Sequence, residues 1–173
     1  MRAIVLVFVL AMSLGGAKGE EEAKMVFGIE EFGLVAAEEG RTTYHVDKWR
    51  PVFSINAGNK ATHGKWARAE VKFEGEAGVY EVKLTTITEF DGESEYRLLV
   101  DGKVVAEFKN PRVDKKGDMK PHEHVWRKIE LGKGSRLAVE SMVASNGLIP
   151  EGDGFAFARG RWKAVEVLVP EKN

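Results

Sequence analysis

The sequence contains no cysteine. This excludes a disulfide framework, a thiolate metal site and a lipid anchor attached to a cysteine. A domain without disulfides depends on its hydrophobic core, which favours a chain of more than about 100 residues. With 173 residues, of which 43% are hydrophobic, the chain is long enough for one such domain.

A hydrophobic run long enough to cross a membrane is also missing. The apolar run at residues 3–14 has twelve residues, too few to span a bilayer. It follows Arg2 and precedes the small residues Gly15, Gly16 and Ala17, an order typical of a signal peptide. We therefore predict a signal peptide over residues 1–19, a charged linker over 20–27 and one domain over 28–170. The protein is expected to be secreted or periplasmic, with no membrane span after signal cleavage.

An excess of positive charge is lacking as well. The formal net charge is −1, and without residues 1–19 the chain has 24 basic and 27 acidic residues. Phosphate binding requires a net basic face, so we expect no nucleic acid as partner.

Helical periodicity is absent, whereas apolar and polar residues alternate along much of the chain. Alternation of this kind is typical of half-buried strands. In residues 66–73 it places Ala67, Ala69, Val71 and Phe73 on one face. Similar alternation occurs in residues 79–88, 96–100, 103–109, 125–131, 136–143 and 162–169, and less clearly in 34–38 and 52–55.

Turn signals separate these strands. Asp101-Gly102 is a strong hairpin signal, and Val104, Ala106 and Phe108 are predicted to point inward on the returning strand. Many short antiparallel strands with regular turns indicate a sandwich or a barrel. We predict an all-β, jelly-roll β-sandwich of about eight or nine antiparallel strands.

Six segments occur in an order that resembles a known family. They are residues 35–38 (VAAE), 66–71 (WARAEV), 77–82 (AGVYEV), 96–105 (YRLLVDGKVV), 126–139 and 162–168. Their order is similar to that of carbohydrate-binding modules of families 6 and 35. The resemblance implies a galactose-binding-like β-sandwich that binds polysaccharide or other glycans outside the cell.

The resemblance also implies a structural calcium ion between the first and last strands. Of the acidic pair expected in the opening strand this sequence has Glu38, while Ala36 occupies the other place. The position at which the last strand is expected to carry an acid falls near Lys163 or Ala164, and neither residue is acidic. Calcium takes six to eight oxygen ligands. Apart from this implied ion, we expect no cofactor.

Candidate sugar-binding residues include three aromatic side chains, because flat rings suit the apolar faces of sugars. Trp49 and Tyr44 lie in an irregular segment, and Trp126 lies in a predicted strand. Trp66 and Trp162 also begin or lie in strands, where core positions are more frequent.

The segment of residues 146–162 supplies further candidates. The resemblance implies an asparagine near the closing strand, and Asn146 fills this place. Arg159 and Arg161 offer planar guanidinium groups to carboxylates or sulfates. The alternative is a crossover loop whose arginines pair with nearby acids. Phe155 and Phe157 alternate and are predicted to lie in the core.

Two polar clusters have competing interpretations. Residues 89–95 contain four acids, which suit a calcium loop, an acid–base pair or a solvated hairpin loop. His122 and His124 fit a metal site or a solvated loop pair. No Ser-His-Asp set, phosphate loop or HExxH helix occurs, so we predict no enzymatic activity.

These observations predict an exported, non-catalytic carbohydrate-binding module that binds polysaccharide through loops at one edge of the sandwich. One alternative is a secreted structural or protein-interaction sandwich that has lost the sugar site. Another is a small glycan-active enzyme that uses Asp91 or Glu93 with a histidine.

Overall fold

Alternating side chains give the chain an all-β structure. The computed structural model describes residues 24–47 and 50–169. Within these residues eight strands have five or more residues and six have two, and three-residue 3-10 turns occur at Ile29–Glu31, Lys60–Thr62 and Lys116–Asp118. The strands are, in chain order, β1 (Lys24–Gly28), β2 (Gly33–Leu34), β3 (Arg41–Thr42), β4 (His45–Val46), β5 (Phe53–Ser54), β6 (Trp66–Lys72), β7 (Gly78–Ile87), β8 (Glu95–Val100), β9 (Lys103–Lys109), β10 (Pro121–Leu131), β11 (Arg136–Met142), β12 (Pro150–Glu151), β13 (Gly154–Phe155) and β14 (Trp162–Leu168).

The strands form two six-stranded sheets and one small hairpin. The first sheet has the order β10-β7-β14-β5-β4, with β1 beside β14. The second sheet has the order β2-β6-β11-β8-β9, with β3 beside β6. The small hairpin is formed by β12 and β13. All pairings are antiparallel except that of β3 with β6, which is parallel. The predicted all-β sandwich is confirmed. No helix in the described residues is long and apolar enough to cross a membrane.

The core lies between the inner faces of the two sheets. Ala67, Ala69 and Phe73 are fully buried, which confirms the inner face predicted for β6. Leu84 of β7 and Leu98 of β8 are also fully buried. Removing this much apolar surface from water is the main source of stability for a domain without disulfides.

An aromatic cluster surrounds Trp162, the first residue of β14. Its ring centroid lies 5.0 Å from that of Phe32 and 4.9 Å from that of Phe53, both in edge-to-face geometry. Trp162 is fully buried, as expected for a core tryptophan. The cluster anchors the last strand to segments that precede β6.

One inward-facing prediction is wrong because the ladder between β8 and β9 is irregular. Leu98 pairs with Ala106, and Leu99 pairs with Val104, so Val105 is an extra residue. An extra residue in one strand changes the direction of the next side chains. Val104 is consequently 47% exposed.

The long connections meet at one end of the sandwich, which we call the loop end. The backbone amide of Asn110 donates to the Ser94 carbonyl at 3.0 Å, and the backbone amide of Asn146 donates to the Asp91 carbonyl at 3.1 Å. These bonds join segments that are distant in sequence. The loop end consists of residues 88–94, 110–120 and 143–161.

The N-terminal strand β1 runs beside the last strand, with Phe27 opposite Val165. It occupies residues 24–27 of the segment that we expected to be a linker. The predicted signal peptide at residues 1–19 lies outside the described residues.

Candidate functional site

A buried carboxylate, Glu89, lies at the base of the loop end. Its side chain is enclosed by the segment that precedes β14, and the residue is 2% exposed. Glu89 Oε2 accepts a hydrogen bond from the Arg159 amide at 2.8 Å, and Oε1 accepts one from Arg161 Nη1 at 2.5 Å. Arg161 Nη2 also lies 3.7 Å from Asp47 Oδ2. The network ties the chain after β7 to the chain before β14.

Burial perturbs the acids of this network. The pKa of Glu89 is raised from 4.5 to about 7, because desolvation exceeds the attraction of Arg161 and the bond from the Arg159 amide. Desolvation also raises the pKa of Asp91. Perturbed carboxylates are candidates for acid–base chemistry. Both oxygens of Glu89 are nevertheless engaged by donors of the chain itself, so its geometry is that of a structural clamp.

Close backbone contact reinforces this clamp. A Cβ added to Gly92 would lie 2.0 Å from the Ala144 carbonyl oxygen, so only glycine fits there. Asn146 Nδ2 donates to the Phe90 carbonyl at 2.9 Å, and Asn146 Oδ1 accepts from the Leu148 amide at 3.0 Å. Asn146, a predicted sugar-binding residue, therefore uses its side chain to hold the loops together.

Two predicted aromatic candidates lie in the core. Tyr44 is 3% exposed, stacks on Phe53 at 5.3 Å and donates to Ser141 Oγ at 2.9 Å. Trp126 is 6% exposed, and its Nε1 donates to the Glu107 carbonyl at 3.3 Å. Neither presents a free ring face to a sugar, because each fills space between the sheets. Trp49 lies outside the described residues.

The two arginine candidates differ. The side chain of Arg161 is 12% exposed and pairs with Glu89, which matches the alternative of a crossover loop paired with acids. Arg159 is exposed, whereas Asn146 and Arg161 are partly buried and Tyr44 and Trp126 are buried.

An aromatic residue that the sequence interpretation assigned to the core, Trp66, is instead partly exposed on the outer face of its sheet. Trp66 begins β6 and points outward, because its neighbour Ala67 points inward. The guanidinium carbon of Arg97 lies 3.8 Å from the centroid of the Trp66 ring. Arg97 Nε donates to Glu107 Oε1 at 2.8 Å, which fixes the guanidinium. The alternation of inward and outward residues along β6 was the sequence feature that indicated this outward position.

A shallow groove of about 370 Å³ adjoins this pair on the outer face of the second sheet. Two cationic side chains, Arg97 and Lys109, and two anionic ones, Glu95 and Glu107, balance its charge. The pairing of Glu95 with Lys109 places the groove near the loop end. The groove is lined by Trp66, Glu95, Tyr96, Arg97, Glu107, Phe108 and Lys109.

Apolar side chains also protrude from the β12–β13 hairpin. Leu148 is 54% exposed and Phe155 is 51% exposed. The prediction that Phe155 lies in the core is wrong. The β12–β13 hairpin is a separate two-stranded sheet, so it has no face packed in the core between the two large sheets. Phe157 is partly buried and stacks on His63 with 3.8 Å between ring centroids.

The histidine pair lies in strand β10 and not in a loop. His124 stacks on Phe108 at 4.0 Å, and His122 stacks on the same ring at 5.5 Å. Burial and the neighbouring His122 lower the pKa of His124. In the described part of the chain, no three His, Asp or Glu side chains are grouped to hold a metal ion.

Glu38, the implied calcium ligand, is part of a turn closed by Arg41. Its Oε1 lies 2.7 Å from Arg41 Nη1, and its side chain is 62% exposed. A lone carboxylate already paired with a guanidinium does not fit an ion that takes six to eight oxygens. The residues at this place therefore do not fit a calcium site.

No protein-family model matches the chain. A stretch of 102 residues is 29% identical to the uncharacterized protein P23 of Formosa agariphila. The match covers 58% of this chain and 23% of that protein, so the chain spans less than a quarter of this relative's length.

Solved structures are similar in fold at low sequence identity. A family 36 carbohydrate-binding module of a multidomain xylanase, from the hindgut metagenome of Trinervitermes trinervoides, matches with a TM-score of 0.54 and 11% identity over 84% of this chain and 96% of that one. The family 35 module from Paenibacillus barcinonensis gives 0.50 and 12% over 84% and 99%. The Podospora anserina β-(1,4)-mannanase with a family 35 module gives 0.57 and 9% over 88% and 29%. The chain has the galactose-binding-like β-sandwich fold of carbohydrate-binding modules of the family 6/35 type.

Proposed function

We propose that this protein is an exported, non-catalytic carbohydrate-binding domain that binds polysaccharide in the groove beside Trp66. The observation that carries the proposal is the outward Trp66 ring, with the Arg97 guanidinium 3.8 Å from its centroid. A partly exposed aromatic ring beside charged groups offers both kinds of contact that a sugar needs.

The groove supplies these contacts from rigid strands. The apolar faces of sugar rings can pack on the part of the Trp66 ring that Arg97 does not cover, while hydroxyl groups can accept from Arg97 and Lys109 and donate to Glu95 and Glu107. Because the two positive and two negative charges balance, the groove favours a neutral polysaccharide. Sites built mainly on strands are held more precisely than sites on loops.

The loop end borders this groove. Lys109 is the last residue of β9 and leads directly into residues 110–120. A polysaccharide that extends beyond the groove would meet these residues, in keeping with the expectation that edge loops take part in binding. The exposed Arg159 offers a further donor at the same end.

The geometry of the acids supports a non-catalytic role. Glu89 has the pKa of an acid–base residue, but it is 2% exposed and both its oxygens accept from Arg159 and Arg161. A general acid must reach the group that it protonates. Export is supported by the signal-peptide features at residues 1–19 and is tested by sequencing the N-terminus of the protein recovered outside the cytoplasm.

The test of binding is affinity electrophoresis of the purified protein in gels that contain neutral, carboxylated or sulfated polysaccharides. We expect retardation by at least one neutral polysaccharide. Retardation by none of them would contradict the proposal. Assays for sugar released from the same polysaccharides would reveal hydrolysis, which we do not expect.

A second candidate, a protein-interaction domain, is favoured by the exposed Leu148 and Phe155. Exposed apolar side chains that form a patch are typical of contact surfaces. This candidate gains if no polysaccharide binds and if the Phe155→Ser variant, but not Trp66→Ala, abolishes a concentration-dependent self-association measured by sedimentation.

A further inference from the structure

We propose that this domain folds and remains folded without bound calcium, because Glu38 and Glu166, acids near the first and last strands, are paired with cations of the chain itself. The proposal concerns stability and is independent of the proposed sugar binding. It is argued from the partners of each acid near the first and last strands.

The acid expected in the opening strand is already neutralised. Glu38 and Arg41 face each other across a tight turn, with backbone hydrogen bonds of 3.0 and 3.3 Å between them. The side-chain contact of 2.7 Å adds an ion pair. Since Arg41 is held by its own backbone opposite Glu38, a cation entering here would have to displace it.

No acid stands at the position expected in the last strand, and the acid that this strand does carry, two residues beyond Ala164, is also paired. Glu166 of β14 has its Oε1 3.0 Å from Lys83 Nζ and its Oε2 3.5 Å from Lys24 Nζ. Lys83 also lies 3.4 Å from Glu123 Oε2. One ladder of ion pairs thus links β1, β14, β7 and β10.

This ladder of ion pairs is partly buried, which increases its contribution to stability. The side chains of Glu166 and Lys83 are 15% and 19% exposed. A carboxylate with an ammonium group near each oxygen is unsuited to a metal, because the entering ion would have to displace Lys24 and the partly buried Lys83 from it. The link between first and last strands that calcium would provide is made here by Lys24 and Glu166.

Two acids of the loop end, Glu89 and Asp91, also have cations beside them. Arg161 pairs with Glu89, and the positive charges of Arg161 and Arg159 act on Asp91. A divalent ion at Asp91 would be repelled by both guanidinium groups. The surroundings of Glu89 and Asp91 are therefore a poor alternative place for calcium.

Among the described residues next to β1, Glu30 and Glu31 form no ion pair, so they give the proposal its sharpest test. Glu30 and Glu31 follow β1, and burial and the charge of Glu30 raise the pKa of Glu31. The Glu30 carboxylate lies against Gly28, where an added Cβ would come within 2.5 Å of both its oxygens. Two carboxylates are fewer charged ligands than most tight calcium sites use.

The experiment is thermal unfolding of the purified chain in EDTA, calcium chloride or magnesium chloride at matched ionic strength, with calorimetric titration of calcium. We expect Tm values within about 1 °C of one another at millimolar calcium, and no saturable heat. A Tm increase of more than about 3 °C that is specific to calcium over magnesium would overturn the proposal.

Variants distinguish whether Glu166 stabilises the fold through ion pairs or through a bound calcium ion. Glu166→Gln should lower Tm by about 2–4 °C, equally in EDTA and in calcium, because it removes ion pairs only. The exposed Glu130→Gln is the control and should change neither value. A loss of stability seen in calcium but not in EDTA would contradict the proposal, as would a calcium heat that disappears in Glu31→Gln.

Discussion

Arg161 and Glu89 are joined by a hydrogen bond of 2.5 Å between Nη1 and Oε1, across 72 positions of sequence. The second carboxylate oxygen accepts from the Arg159 amide at 2.8 Å. This pair closes the base of the loop end, so the geometry of residues 88–94 and 143–161 depends on it. Its ionisation should therefore appear in the stability of the whole domain.

The raised pKa of Glu89 predicts a specific pH dependence of stability. Between the ordinary value of 4.5 and about 7 the folded protein binds more protons at this site than the unfolded chain does. Stability should therefore fall as pH rises through this window, by up to about 3 kcal/mol. Glu89→Gln should remove this slope, as measured by urea unfolding at several pH values.

The control for the Glu89 experiment is Glu151→Gln, which changes an exposed acid at the same end of the sandwich. It should keep the slope of the unmodified protein. If Glu89→Gln unfolds with the same pH dependence as the unmodified protein, then Glu89 does not titrate with a raised pKa in the folded state.

Removing the Trp66 ring should weaken polysaccharide binding without unfolding the domain. We expect Trp66→Ala to reduce affinity about 10- to 100-fold, the loss of roughly 1.4–3 kcal/mol of contact. Titration calorimetry with the polysaccharide identified by the electrophoretic screen gives the affinity. Val104→Ala, which alters an exposed residue of the same sheet, is the matched control and should bind normally.

Tyr44 should matter for stability and not for binding. Tyr44→Phe removes the hydrogen bond to Ser141 in the core and should cost about 1 kcal/mol of unfolding free energy. Affinity for polysaccharide should stay within about twofold of the unmodified protein, because the ring is enclosed. A tenfold loss of affinity with unchanged stability would instead make Tyr44 a binding residue.

Gly92 should be intolerant of a side chain. In Gly92→Ala the new Cβ would meet the Ala144 carbonyl oxygen at 2.0 Å, so the two loops must separate. We expect a loss of about 2 kcal/mol in chemical unfolding. At Gly117, an added Cβ meets nothing within 4 Å, so Gly117→Ala should be nearly neutral. Equal stability of both variants would contradict the close packing at Gly92.

The strands and their inner faces could be predicted from the sequence, because side chains alternate locally along a strand. Ala67, Ala69 and Leu84 are buried as the alternation indicates. The same rule assigned Val104 wrongly, since the extra residue in β9 appears only when that strand pairs with β8. Local pattern carries no information about such a change of register.

The candidate site was less predictable than the fold. Trp66 lies on the outer face that its own alternation implies, yet the general preference of tryptophan for the core favoured the other interpretation. Tyr44 and Trp126 are enclosed because segments distant in sequence cover them. Whether an aromatic residue in an irregular segment or strand is exposed depends on these neighbours.

The sequence by itself determined that the protein is an all-β domain without disulfides, and it determined most inner faces of the long strands. Those properties follow from composition and from the period of neighbouring side chains. Only the tertiary structure decided which polar groups meet, such as Glu89 with Arg161, or Glu166 with Lys24 and Lys83. The physical reason is that strand pairing brings together residues that no local period relates, and their charges act only at these short distances.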